Sequence, residues 1–159
     1  MKRLPPMVKG FDGGHVKWQN LDDIDFSLLG FVLSCHLIIE HYLDEMIGTY
    51  AAGLNWDSAR LTFAQKLALL PDAALPESHS PRAAIKDLNG LRNRLSHNIR
   101  FRPTDIDLQP FADFLTKVYK DPKDVPSDPV AVLEQFTSTV CSWFGGWIAG
   151  DAGTNKRKR

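Results

Sequence analysis

The chain has 159 residues, of which 43% are hydrophobic and 24% charged. That is enough for one domain with a core of its own, and it excludes both a chain disordered throughout and a mini-protein dependent on disulfides. Nineteen basic residues balance nineteen acidic ones for a net charge of +0, so whole-molecule attraction to nucleic acid or anionic lipid is excluded and any such binding must be local. Cys35 and Cys141 lie in apolar stretches without metal-ligand spacing; they read as small buried hydrophobes of a reducing compartment. The basic N-terminus, Met1 to Val8, lacks the apolar core of a signal peptide. The longest apolar run, Leu28 to Ile39, is broken by His36 and stopped by Glu40, short of the ~20 residues a spanning helix needs. The expectation is a cytoplasmic protein without membrane contact.

In chain order, residues 1–24 hold Pro5, Pro6, Gly10, Gly13 and Gly14 without periodicity and read as a loosely held arm. Asp22, Asp23 and Asp25 mark an acidic helix start. From Phe26 to about Tyr50, residues Leu28, Leu29, Phe31, Val32, Cys35, Ile39, Leu43, Met46, Ile47 and Tyr50 share one wide apolar arc. Asn55 or Asp57 can cap a second helix through Leu61, Phe63, Ala64, Leu67 and Leu70, which Pro71 ends. A polar loop follows to Ser80. Ser80-Pro81 opens a third helix whose core face is Ala84, Ile85, Leu88, Leu91, Leu95 and Ile99, and which must stop before Pro103. A shorter fourth lies around Pro110 to Tyr119. Ser127-Asp128-Pro129 opens a fifth, with Val130, Leu133, Phe136, Val140, Trp143, Phe144 and Trp147 at helical steps and a weakened end at Gly145-Gly146. No strand pattern of convincing length is present. The predicted fold class is all-α, an up-and-down bundle of four to five helices. Its parts are an arm (1–24), a helical domain (25–150) and a basic tail (151–159).

The segment from Leu88 to Asn98 carries the chemistry. On a regular helix Lys86, Gly90, Asn93 and His97 lie away from the core face with Arg94 at the edge, while Arg92 stands about 140° round from His97. One helix cannot easily aim both at a single phosphate. Either the backbone distorts near His97 or the groups meet partners from a second copy, whose approach Gly90 would ease. The plain alternative is that Arg92 and Arg94 are solvated and His97 favours a helix C-terminus. In the first helix, His36 falls within the apolar arc and Glu40 at its margin. A carboxylate there needs a donor, and the Arg92/Arg94 pair is the natural one. His36 reads most simply as a satisfied core histidine. With Glu40 it would supply two metal ligands and no evident third; a metal enzyme built on His36, Glu40 and His41 is the weakest reading, and no metal or other cofactor is expected.

Arg92-Asn93-x-x-x-His97, preceded by Leu88-Asn89 and followed by a short apolar-basic segment, resembles the signature of the HEPN superfamily, whose members are small all-α bundles. The segment Leu61 to Leu70 is similar to the helix that many bacterial members carry before the motif, and Glu40 to an acidic companion in their long first helix. The resemblance implies a metal-independent endoribonuclease acting as a homodimer, with two motifs facing each other across a shared cleft. Arg92 and His97 would be catalytic, Asn93 their polar neighbour and Glu40 a supporting residue. RNA brings its own 2′-hydroxyl nucleophile, a histidine can move protons near neutral pH, and an arginine can hold two phosphate oxygens. A shared site also answers the 140° problem. Arg94, Arg100 and Arg102 would extend a positive patch for RNA, and the tail Lys156 to Arg159 could reach a backbone, although a solubilising end is its simpler role. Trp143 and Trp147 read as core or interface rather than stacking platforms. Where toxin members controlled by a nucleotidyltransferase antitoxin often carry tyrosine two residues after the histidine, this chain has Ile99. Phage defence or a toxin–antitoxin pair is the expected setting, with an antitoxin or regulatory protein as further partner. The alternative is a non-catalytic HEPN-like protein that binds a partner protein or nucleotide, with Arg92 anchoring Glu40.

Overall fold

The computed structural model describes residues 5–22, 24–51, 56–119 and 121–156. Asp23, the proposed cap Asn55 and residues 157–159 of the tail lie outside the described residues, as do the side chains of Asp57 and Lys156. The chain is mostly helical with one small sheet. Two strands, β1 (Met7–Asp12) and β2 (His15–Gln19), precede six helices: α1 (Phe26–Tyr50), α2 (Trp56–Ala59), α3 (Phe63–Leu69), α4 (Arg82–His97), α5 (Asp105–Tyr119) and α6 (Pro129–Lys156).

The chain is all-α-like apart from this hairpin, which corrects the reading that no strand is present. Gly13 and Gly14 both adopt positive φ, at 54° and 84°, the two-residue turn that suits the twist of paired strands. Residues read as a structureless arm therefore pair antiparallel, with a bulge between Val8 and Gly10.

α1 begins where the acidic start was read. Asp25 caps it by accepting the Leu28 N–H at 2.9 Å, and Val32, Cys35, Ile39, Leu43, Met46 and Ile47 are buried along the predicted arc; Tyr50, placed on that arc, is exposed. α1 packs on α6, α4 and α3, while α5 closes against α6 and α4. The second helix is broken in two. Arg60 takes a φ of 46°, and α3 restarts behind a capping box in which Gln65 N–H reaches Thr62 Oγ1 and Thr62 N–H reaches Gln65 Oε1. Arg82, at the first turn of α4, donates to the carbonyls of Leu67 and Leu70 that end α3, so one guanidinium fixes the α3–α4 corner.

α5 starts five residues before Pro110, with Asp107 accepting from the Thr104 N–H at 2.7 Å. Pro110 lies inside the helix and leaves the Ile106 carbonyl without its helical donor on an edge where Ile106 is itself exposed. α6 runs through Gly145-Gly146, and a Cβ at Gly145 would sit 3.7 Å from the Tyr42 ring, so the glycine sits at a close α1–α6 approach. Phe111, Phe114, Phe136 and Trp143 form an aromatic chain with centroids 4.9 to 5.5 Å apart, and Trp147 packs against the core. Cys35 and Cys141 are free thiols; burial pushes both pKa values up, that of Cys141 to about 11.

Among the described residues α1 is also long and apolar enough to cross a bilayer by length and composition. The run Leu28 to Ile39 understates this reach, because the helix continues apolar beyond Glu40. Seven of its residues are nonetheless buried inside the protein.

Phe111 is wholly buried and touches Phe136, so Phe111→Ala is expected to cost about 3–5 kcal/mol in urea unfolding. Ile106→Ala, at a position 84% exposed, should stay within about 0.5 kcal/mol.

Candidate functional site

The centre of the site is a polar ring in an apolar seam. His36 occupies a position on α1 that faces both α3 and α4 and is fully buried. Burying an imidazole without a partner costs several times what a good hydrogen bond contributes. α4 supplies that partner: His36 Nε2 donates to Asn89 Oδ1 at 3.0 Å. α3 supplies the cover, with the Phe63 ring stacked on the imidazole at 4.3 Å. With Nε2 as donor, the neutral ring carries its lone pair on Nδ1, which has no hydrogen-bond partner and lies 3.8 Å from Glu40 Oε2.

Glu40 finds its donor on α3 rather than α4. Lys66 Nζ reaches Glu40 at 2.9 Å and Asp44 at 2.8 Å, which corrects the expectation that Arg92 or Arg94 would hold this carboxylate. The geometry is simple: Phe63 and Lys66 are one turn apart on α3, as His36 and Glu40 are on α1, so stacking the first pair brings the second together. Burial opposes the charge of Lys66, but the hydrogen bonds to Asp44 and Glu40 outweigh it and raise its pKa. Burial pushes the pKa of His36 below the usual histidine value; the positive charges of Arg92 and Lys66 add to this, against the opposing Asn89 hydrogen bond and Glu40.

Arg92, one turn beyond Asn89, lies at the edge of this cluster. Its Nη1 donates to Asn93 Oδ1 at 2.9 Å, and its Nε is buried without a hydrogen-bond partner. No described carboxylate forms an ion pair with it. His97 ends α4 and is exposed, without a hydrogen bond to a described residue. Arg92 and Asn93 are thus bonded to each other, and His97 stands apart from Arg92 round the helix, as regular spacing requires. α4 ends at His97 without distortion before it; Asn98 caps it, sending its N–H to the Arg94 carbonyl.

The three arginines read as an RNA patch divide. Arg94 is committed to Asp107 at 2.5 Å and lies over the Phe101 ring at 4.7 Å. Arg100 is half-buried and donates to the Asn20 carbonyl at 2.5 Å, tying the base of the hairpin to the end of α4. Arg102 is exposed. His41 is exposed, edge-on to Tyr42, and does not join His36 and Glu40.

Sequence reasoning missed Lys66, Asn89 and Phe63 as members of the cluster. Asn89 was within reach, since a buried histidine demands a polar partner on the facing helix. No family model, no curated protein and no solved structure matches this chain.

Removing Lys66 leaves two carboxylates facing each other on α1, one of them part-buried. Lys66→Met is expected to lower stability by about 1–3 kcal/mol in chemical unfolding, and adding Glu40→Gln should recover part of it. His36 gives a pH signature. Its folded pKa is depressed, so the unfolded chain takes up a proton near ~6.5 that the folded chain refuses. Stability is therefore full above that pH and falls as the pH drops through it. Urea midpoints between pH 7.5 and 5.5 should show this fall, and His36→Gln should flatten it.

Proposed function

We propose that the chain is a metal-independent endoribonuclease of the HEPN type, a cytoplasmic helical-bundle protein that cleaves RNA at a site shared by two copies. The observation that carries this reading is the state of Arg92. Arg82 and Arg94 each pair with a carboxylate, whereas Arg92 is half-buried, bonded to Asn93, with Nε unsatisfied and no acidic partner among the described residues. A guanidinium kept free of carboxylates at the edge of a polar cluster suits a phosphate, which it can hold through two oxygens.

Asn93 holds the guanidinium in place. His97, exposed at the helix end, is free to take the proton of the 2′-hydroxyl or give one to the departing 5′-oxygen. The products expected are a 2′,3′-cyclic phosphate and a 5′-hydroxyl. Arg92 on one chain works beside His97 of the other, because the spacing along α4 separates the two within a chain. RNA recognition beyond the motif falls to the basic residues that follow it, Arg94, Arg100 and Arg102, with the tail. A role in phage defence or in a toxin–antitoxin pair, held in check by a partner protein, follows from the same reading. The non-catalytic alternative assigned Arg92 to Glu40, and Lys66 fills that role.

The test is cleavage of single-stranded RNA in EDTA. His97→Ala and Arg92→Ala are each expected to lower the rate at least 100-fold, in the range usual for a general acid–base group or a charge-stabilising donor. Arg92→Ala should leave the unfolding midpoint nearly unchanged, since Glu40 keeps Lys66. Equal cleavage by wild type and His97→Ala refutes the assignment.

A further inference from the structure

The hairpin presents an apolar face. In its register Val8 stands opposite Trp18 and Phe11 opposite Val16, so these four side chains share one side. Val8 and Phe11 are three residues apart, an odd step that regular strand would send to opposite faces. The bulge between Val8 and Gly10 returns them to one. The other side pairs Gly10 with Lys17 and Asp12 with His15, and a Lys17–Asp12 ion pair of 2.7 Å crosses it. On the apolar side Phe11 is 74% and Trp18 60% exposed. A lone two-stranded hairpin is marginal in water, and one with two aromatic rings on an open face is suited to being covered.

The chain carries a second apolar surface of the same kind. On the outer side of α1, Leu33, Leu37 and Ile38 are exposed, with Gly30 and Ser34 between them as a shallow furrow. From Gly30 to Ile38 this side holds no charged residue, so a partner there desolvates no ion. A Cβ at Gly30 would meet nothing within 4 Å, which leaves the furrow open to a ring.

We infer that the hairpin of one copy docks on the α1 furrow of a second copy, and reciprocally, with Phe11 and Trp18 as anchors. The inference deepens the shared-site reading by naming the surface that joins the two chains. The area suffices. Two aromatics of ~150–250 Å² each, largely exposed, together with Val8 and Val16 offer on the order of 400 Å². A two-fold pair uses each chain's hairpin and each chain's helix, giving about 800 Å² per partner, the size of a stable interface. Arg100 fixes the hairpin base through Asn20 beside the end of α4, so the exchange ties the two motif-bearing regions together.

Sedimentation velocity of the full chain over a range of concentrations is expected to show a dimer. Phe11→Asp, Trp18→Asp and Leu37→Asp should each weaken it about 100-fold or more with unchanged helical circular dichroism. In a Cys141→Ser background, Phe11→Cys and Leu37→Cys chains, mixed and gently oxidised, should give the mixed disulfide. A wild-type monomer overturns the inference, whether or not it co-sediments with phosphatidylglycerol vesicles; so do a dimer that survives the Asp variants and Phe11→Cys chains that link only to each other. In the last two cases the nuclease reading stands. If instead His97→Ala cleaves like wild type while the mixed disulfide forms, the nuclease reading fails and the docking stands.

Discussion

A single polar ring sets the register of the helices around the site. His36 lies on the apolar side of a 25-residue helix, where every other buried position could tolerate a small rotation of its neighbour. An imidazole cannot, because its hydrogen bond is directional and its loss in a dry seam is expensive. Asn89 must therefore face it from α4, and Phe63 must cover it from α3. Once those two are in place, helical spacing leaves little else free. Lys66 falls beside Glu40 and Asp44, and Arg92 comes to the edge of the same seam. The ion pair at Lys66 follows from the buried ring; the reverse would not hold, since a part-exposed pair contributes modestly and defines no rotation.

The same ordering explains what the sequence reveals. α1, α4 and α6 are legible because each buries a long stripe at three- and four-residue steps, and packing then agrees with periodicity. The break at Arg60 is hidden from periodicity because Leu61 to Leu70 keeps the step across it; its sign is local, the Thr62–Gln65 capping box. Pro110 misleads as a start, since the true start is written in Thr104 and Asp107. The hairpin escapes because its bulge shifts the alternation of the first strand by one residue, so that Val8 and Phe11 stand three apart in sequence while sharing a face in space with Val16 and Trp18. Periodicity finds regular elements, whereas turns, bulges and caps are found by the residues that make them.

At the site, residue types were legible and pairings were not. A carboxylate at the margin of an apolar arc announces that a cation is near, but several cations are close enough in sequence to qualify. Choosing between Lys66 and the arginines of α4 depends on which helix edge faces Glu40, and that edge is set by the stacking of Phe63 on His36. Arg94 was drawn away by Asp107 and the Phe101 ring, a contact that exists because α4 and α5 meet at a short corner. Arg92 keeps its charge unspent for a related reason: Glu40, the carboxylate beside the buried imidazole, is already engaged by Lys66.

In a neutral chain, a cation kept for an anionic ligand must be held away from the chain's own carboxylates. With nineteen of each sign, the default outcome is mutual pairing, as at Arg82 and Arg94. Lys66 breaks that default by occupying Glu40 and Asp44 at once. One lysine holding two carboxylates leaves a net negative charge on the α1–α3 edge, and on α4 a guanidinium that pairs with no acid among the described residues. Burial, joined by both cations, pushes the pKa of the imidazole between them below the usual histidine value. The arrangement separates charge along a short line, negative at Lys66 with its two acids, neutral at His36 and positive at Arg92. Asp44 keeps the negative end half-exposed to solvent, whereas the half-buried guanidinium of Arg92 holds the positive end on α4, separated from the acids by the imidazole.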